Sequence, residues 1–387
     1  ALVGRAKEGV RVRLIYDWLG GLGTASRVFW NGLRAGGVEV RCFNPARWDS
    51  PFGWLSRDHR KTLCVDGEIG FVSGLCVGRM WAGDAARNIE PWRDTGVELR
   101  GPSVAELDRA FATVWALIGE PIPESELVRP EAAAPEGGTA LRVVASTPAS
   151  GGMLRVDQLI AALAKQRLWL TDAYYAGMTS YVQALRSAAQ DGVDVRLLVP
   201  NATDVALLKL LSRAGYRSLL EAGVRVFEWN GRMLHAKTAV ADGRWARVGS
   251  TNLNVASWFG NCEMDVVVED EPFAQSMEAM FLADLENSSE IVLDDRQKVR
   301  APNQPRHPHS VLRRGGGTSG RAAAGAVRIA NVVGAAFTNR RVIEPVEARI
   351  TVGAGGLLLS LAILFAVFPR LLAYPVALLF AWIATAL

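Results

Sequence analysis

Short apolar runs alternate with amphipathic stretches along this chain, predicting strands and helices in regular succession. Val10–Tyr16 reads as an apolar strand, Ala25–Ala35 as a helix stopped by Gly36-Gly37, and Val38–Phe43 as a second strand. Lys61–Val65 and Ile69–Ser73 read as a hairpin turning at Asp66-Gly67, a dipeptide that accepts left-handed backbone. Val97–Leu99 adds a strand and Val104–Ile118 a helix. Beyond a Pro/Ala/Glu/Gly stretch at 121–138 the same pattern returns. Leu141–Ala145, Leu168–Ala173, Val193–Val199 and Val224–Trp229 are strands, with helices over Leu154–Lys165, Tyr181–Gln190 and Val205–Ala222. Lys237–Ala241 and Trp245–Val248 form a second hairpin through Asp242-Gly243.

The two patterns are copies. GVRVRLIYD (9–17) aligns with GVDVRLLVP (192–200), and AGGVEVRCF (35–43) with EAGVRVFEW (221–229). HRKTLCVDGEIGFVSG (59–74) aligns with HAKTAVADGRWARVGS (235–250) without a gap. A duplication in which strands and helices alternate predicts two α/β sandwich halves with parallel strands. The expected division is 1–120 for the first half, 121–138 for the linker and 139–295 for the second half. The second copy carries a strand, a helix and another strand ahead of Val193 that the first copy lacks before Val10. Ala1 is therefore expected not to be the natural start.

After the second half the pattern changes. Residues 296–325 are rich in Arg, Pro, Gly and Ser and read as a basic tether. Residues 326–387 form a small-apolar region whose two runs, 352–368 and 371–387, have the length of short membrane-spanning helices split by Pro369-Arg370. Arg328, Arg340, Arg341 and Arg349 flank the first run, which places the preceding domain on the cytoplasmic face of a bacterial inner membrane. This tail raises mean hydropathy to +0.13. Net charge is +4, which suits an anionic partner such as a phospholipid surface. Four cysteines without a CxxC pair, and no His cluster, give neither a zinc-site spacing nor a disulfide framework, so no metal or other cofactor is expected.

Of four histidines, two fall in the tether; the other two open the duplicated hairpins, each followed by Lys at +2 and Asp at +7. The sets are His59/Lys61/Asp66 and His235/Lys237/Asp242. In extended backbone, positions i and i+2 face the same way, so each His projects with its Lys. A pseudo-twofold would bring both pairs to one cleft. One neutral imidazole could then attack phosphorus, the other, protonated, could supply the leaving alkoxide's proton, and two ammonium groups could hold the non-bridging oxygens. Asp66 and Asp242 sit on the turns with opposite parity, which points to a structural part in the motif. Gly249–Asn252 (GSTN) ends the second hairpin; read as a turn before a helix, it offers the Ser250 hydroxyl and the Asn252 amide to a phosphate. Glu263, and in the first half Asp94 of PWRDTG, are candidates to orient an imidazole through its second nitrogen.

Paired HxKxxxxD segments followed by GSxN resemble the phospholipase D superfamily. VRLIYDWLGGLG, DHRKTLCVDGEIGFVSGLCVG, PWRDTGVELRGPSV, VDVRLLVP and HAKTAVADGRWARVGSTNLN are most similar to bacterial cardiolipin synthases. The resemblance, over about residues 9–293, implies two α/β sandwich halves sharing one active site and a phosphohistidine intermediate. It implies transfer of a phosphatidyl group to phosphatidylglycerol, with His59 as nucleophile and His235 as general acid. One departure stands out: the first copy has Gly74-Leu75-Cys76 where the second has Ser250-Thr251-Asn252. A hydrolase would use the same intermediate and release phosphatidic acid. A nuclease of the same superfamily is a third reading, disfavoured by the apolar tail, so nucleic acid is not an expected partner. A scaffold without activity is disfavoured by two intact motifs.

Overall fold

The computed structural model describes residues 1–48, 55–128, 136–203, 206–293 and 299–300, with isolated residues between 360 and 385. The first half contributes strands β1 (Arg13–Asp17), β2 (Glu39–Phe43), β3 (Thr62–Val65), β4 (Ile69–Ser73) and β5 (Gly96–Arg100). The second contributes β6 (Ala140–Ser146), β7 (Arg167–Thr171), β8 (Asp194–Pro200), β9 (Arg225–Trp229), β10 (Thr238–Ala241), β11 (Trp245–Gly249), β12 (Glu263–Glu269) and β13 (Ser288–Leu293). A two-residue strand, β14 (Val299–Arg300), follows inside the segment expected to be tether. The helices that build layers on these strands are α1 (Arg27–Ala35), α2 (Ser103–Leu117), α3 (Gly152–Leu163), α4 (Thr179–Gln190), α5 (Ala206–Leu220) and α6 (Glu271–Glu286).

In the second half all strands join one sheet of order β14-β13-β9-β8-β7-β10-β11-β12-β6. β7, β8 and β9 are parallel, as crossover helices require, whereas β10, β11, β12 and β6 run antiparallel. The sheet is therefore mixed and not parallel throughout. The reason is local: a Gly-containing turn such as Asp242-Gly243 can only return the chain antiparallel. β12, α6 and β13 occupy 263–293, where the sequence reading placed no elements; Val266–Val268 in β12 is a short apolar run of the kind that sits between two covered faces.

The first half has the same local pieces but in two sheets, β1-β2 parallel and β3-β4-β5 antiparallel. In the second half β7 lies between β8 and β10 and unites the sheet. The first copy has no counterpart of β7 among the described residues. The consequence is visible in burial: β10 is buried along its whole length, whereas Leu63 and Val65 of β3 are exposed.

Alternate residues of the large sheet feed two cores. Leu168, Leu170, Val195 and Leu197 pack under α3, α4 and α5, while Trp169, Leu198, Phe227 and Val240 pack against α6. Val72, Leu99, Val104 and Leu107 of the first half share a third cluster with Val143, Met264, Val266 and Val268 of the second. Each large apolar side chain removed from water contributes roughly 1.5–3 kcal/mol, so this shared cluster fixes the halves against each other.

Residues 129–135 of the linker, all of the tether but 299–300, and much of both apolar C-terminal runs lie outside the described residues. Among the described residues no helix is long and apolar enough to cross a membrane.

Candidate active site

Each motif histidine occupies an extended segment just before a hairpin strand, not the strand itself: His59 precedes β3 and His235 precedes β10. Both segments are pinned by the opposite half. The His59 amide donates to the Cys262 carbonyl at 2.9 Å, and the His235 amide to the Arg93 carbonyl at 2.7 Å. Cys262 and Arg93 immediately precede Glu263 and Asp94, so the same backbone contacts deliver a carboxylate to each ring. His59 Nδ1 lies 2.9 and 3.0 Å from the two Glu263 oxygens, and His235 Nδ1 2.8 Å from Asp94 Oδ2. The pairing is crossed: the carboxylate of one half orients the imidazole of the other. With Nδ1 committed in both rings, chemistry falls to Nε2.

The two carboxylates are supported differently. Glu263 is completely buried and accepts the Ser250 hydroxyl at 2.6 Å and the Asn261 amide at 3.1 Å. Ser250 Oγ in turn accepts the Met264 amide at 2.9 Å. The hydroxyl expected to meet a phosphate is thus spent on holding Glu263. Asn252, also buried, donates its amide to Ser257 Oγ at 3.3 Å. The helix expected after GSTN is a five-residue π turn, Ala256–Gly260, so this loop does not open a long helix. Gly74 occupies the Ser250 place in the first copy. Asp94 there takes its hydrogen bonds from the Trp81 indole at 2.7 Å and the Thr95 amide at 2.9 Å.

Both lysines donate to the carbonyl of their own motif histidine, and Lys237 Nζ lies 3.0 Å from His235 Nδ1. The halves meet electrostatically as well: the Lys61 charge acts on His235 and Lys237 across the interface. Burial above all, then the Lys237 charge, push the His235 imidazole down to about 3, against the pull of Asp94. Burial would raise Asp94, but the hydrogen bond from His235 and the Lys237 charge hold it at about 2. The resting pair is therefore a neutral imidazole donating Nδ1–H to an ionised carboxylate. Burial raises Glu263, opposed first by the Lys61 charge.

Burial also drags the Lys237 ammonium down to about 8, with Lys61 adding to the effect and Asp94 opposing it. The group is charged below that pH and neutral above it, so the site loses one cation as pH rises. We expect kcat/KM for a phosphodiester to fall with an alkaline limb near pH 8. Lys237→Arg, whose guanidinium stays charged, is expected to move that limb upward. A rate that stays flat from pH 7 to 10 would show that Lys237 is not needed as a cation.

Asp66 and Asp242 take left-handed backbone on their turns, φ +52° and +53°. Asp242 accepts the amides of Lys165, Gln166 and Arg167 at 2.8–2.9 Å, tying the α3–β7 connection to the hairpin. Its side chain thus braces that connection. Among the described residues the first copy offers Asp66 no equivalent connection to brace.

Several residues around the histidines were not singled out from the sequence. Trp81, Trp92 and Tyr174 surround the His235 ring at centroid distances of 5.1, 5.8 and 5.6 Å. Asp172, fully buried, accepts the Tyr174 and Leu253 amides at 3.0 and 2.8 Å and joins the end of β7 to the GSTN loop. Proximity to a motif in sequence would have flagged Trp92, two residues before Asp94. Tyr174 and Asp172 carry no such signal, because only the fold brings the end of β7 beside β10.

Residues 158–285 match the family model described as "Cardiolipin synthase, PLD-like domain". The chain is 38% identical to cardiolipin synthase A of Pseudomonas aeruginosa (strain PAO1) over 308 residues, 78% of this chain and 61% of the relative. It is 32% identical to the cardiolipin synthases of Alkalihalophilus pseudofirmus, over 75% of this chain and 58% of the relative, and of Geobacillus kaustophilus, over 81% and 62%. The chain thus spans about three-fifths of the length of these relatives. In fold it is similar to the crystal structure of phosphatidylserine synthase from Haemophilus influenzae Rd KW20, with a TM-score of 0.54 at 15% identity, over 72% of this chain and 74% of that one. Duplicated His-x-Lys segments, crossed carboxylates and a cardiolipin-synthase-type domain together place this chain in the phospholipase D superfamily.

Proposed function

We propose that the chain is a phosphatidyltransferase that makes cardiolipin from two molecules of phosphatidylglycerol. The single observation that carries this reading is the convergence of two imidazole–ammonium sets, each oriented by a carboxylate of the opposite half. In the first step His59 Nε2 attacks phosphorus, a P–N bond forms and the bond to the departing glycerol oxygen breaks. His235 gives its proton to that oxygen. In the second step the hydroxyl of another phosphatidylglycerol attacks the phosphohistidine, passing its proton to His235 as the P–N bond breaks. Lys61 and Lys237 neutralise the non-bridging oxygens throughout.

The neutral resting state of His235 sets a condition on this scheme. The imidazole must gain a proton as substrate arrives, and the phosphodiester anion beside Lys237 favours that gain by offsetting the ammonium charge. An imidazolium of low intrinsic basicity is then a strong acid toward a leaving alkoxide. The resemblance of the relatives, all named cardiolipin synthases, supports phosphatidylglycerol as donor and acceptor. The apolar runs at 352–387 and the flanking arginines support a place on the cytoplasmic face of a bacterial inner membrane.

The test is direct: incubate the full chain with phosphatidylglycerol vesicles and separate the lipid products. Cardiolipin with stoichiometric glycerol is expected. Accumulation of phosphatidic acid instead would make the enzyme a hydrolase of the same intermediate, and no turnover of any phosphodiester would defeat the reading.

A further inference from the structure

Behind the Glu263 side of the site lies a buried charge cluster that the proposed chemistry does not use. Arg247 of β11, Thr251 of the GSTN loop and Asp265 of β12 are fully buried, and Asp157 of α3 is nearly so. Arg247 lies opposite Ala239 and Val267 in the sheet, residues of the core under α3, α4 and α5. Its guanidinium reaches three elements. Nη1 donates to the two Asp157 oxygens at 2.8 and 3.0 Å, Nη2 donates to the Thr251 carbonyl at 3.2 Å, and Nε lies 3.8 Å from Asp265 Oδ1. The Thr251 hydroxyl donates to Asp265 Oδ2 and closes the ring, while the Trp258 indole donates to Asp157 at 3.2 Å.

Stability alone is a poor reason for such a cluster. Burial pushes both carboxyls up to about 6 against the pull of the guanidinium, and apolar residues of similar volume often match a buried ion cluster in stability. What the cluster fixes is geometry. Ser250, whose hydroxyl holds Glu263, stands between Gly249 and Thr251. A Cβ at Gly249 would collide with the Asp265 carboxylate, so the backbone there lies directly on that group. Thr251, on the other side, is held at both its carbonyl and its hydroxyl. Glu263 and Asp265 are alternate residues of β12 and share one face of the sheet. The first copy has Phe71, Leu75 and Gly96 at the places of Arg247, Thr251 and Asp265, so the device belongs to the Glu263 side alone.

We propose that Arg247, with Asp157 and Asp265, is a positioning residue that locks the GSTN loop against β12 and so aims Glu263 at His59. The kinetic consequence rests on the phosphatidyltransfer reading, in which His59 attacks phosphorus. Arginine suits the task because its planar fork can hold three elements in one fixed arrangement, which a single ammonium cannot.

Two measurements on the full chain test this, both with Arg247→Met/Asp157→Asn/Asp265→Asn, which removes every charge of the cluster at nearly constant volume. Should that variant not fold, Arg247→Lys, which keeps the charge and loses the fork, carries the same test. The first measurement is the nitrophenol burst from the nitrophenyl ester of phosphatidic acid in a His235→Ala background. Its amplitude counts folded sites and its rate constant reports attack by His59. The rate constant is expected to fall roughly tenfold or more, the usual cost of losing an orienting partner, at unchanged amplitude. A loss confined to amplitude, or an unchanged rate constant, makes the cluster merely structural and overturns the proposal. The second needs no turnover: in protein labelled with ¹⁵N-histidine, the His59 Nδ1–H resonance, assigned by its absence in His59→Ala, is expected to move or vanish while that of His235 stays. An unmoved His59 resonance, or the loss of both, overturns the proposal. A moved His59 resonance in a protein that gives no burst in any background would retain the positioning role and reject the catalytic reading.

Discussion

His59→Ala is expected to lower phosphatidyl transfer by roughly 10⁴-fold or more, because removal of a covalent nucleophile leaves only positioning and charge stabilisation behind. The informative comparison is with His235→Ala. A substrate whose leaving group is a nitrophenolate needs no proton at departure, so His235→Ala is expected to release nitrophenol in a burst and then stall. His59→Ala shows no burst. Acid-labile, base-stable phosphate trapped on His59 of the His235→Ala protein is the expected signature, read by mass spectrometry of the quenched enzyme. A label found on His235 of the His59→Ala protein would exchange the two roles. The crossed carboxylates sharpen the test: Glu263→Gln is expected to weaken the burst, since it orients His59, whereas Asp94→Asn is expected to leave the burst and slow the turnover of an unactivated lipid.

Gly74→Ala is expected to cost about 100-fold in kcat although it adds one methyl group. A Cβ at this position would collide with Asp94 Oδ1 and stand 2.9 Å from its Cγ. The backbone at Gly74 is not left-handed, so the requirement is space alone. The carboxylate must move, and with it goes the hydrogen bond that fixes the His235 tautomer; loss of such orienting partners typically costs 10–100-fold. In the second copy Ser250 fills the same place and donates to Glu263 at 2.6 Å. Ser250→Ala removes one of several donors without a collision and is expected to cost only about tenfold. A folding defect would lower the melting temperature and leave the pH profile intact; a displaced Asp94 changes the profile, because His235 loses the carboxylate that raises its basicity. An active Gly74→Ala protein with an unchanged profile would show that Asp94 tolerates the crowding.

The sequence alone carried a great deal of this. Duplication was legible because both copies keep the His-x-Lys spacing, the Asp-Gly turn and the flanking strand pattern, and each is a local feature that a chain segment specifies by itself. The brace at Asp242 was foreshadowed by parity, since a turn residue seven positions after an extended His cannot share its face. Glu263 and Asp94 could be nominated as orienting carboxylates, but their partners could not be assigned. The crossing depends on which half packs against which, through Val72 and Leu99 against Met264 and Val266, more than a hundred residues apart.

Other features belong wholly to the folded chain. Ser250 was expected to serve a phosphate and instead holds Glu263, because the hairpin end and the start of β12 approach closely enough for Met264 and Glu263 both to reach its hydroxyl. The aromatic surround of His235 draws on Trp81, Trp92 and Tyr174, from both halves, and leaves no mark in any one segment. The depressed basicity of His235 and Lys237 comes from burial, which no local motif records. Residue types and their spacing fixed which atoms can do the chemistry, since reactivity is a property of side chains. Tertiary packing decided which atoms face each other and with what charge, since distance and dielectric exist only once the halves have closed on one another.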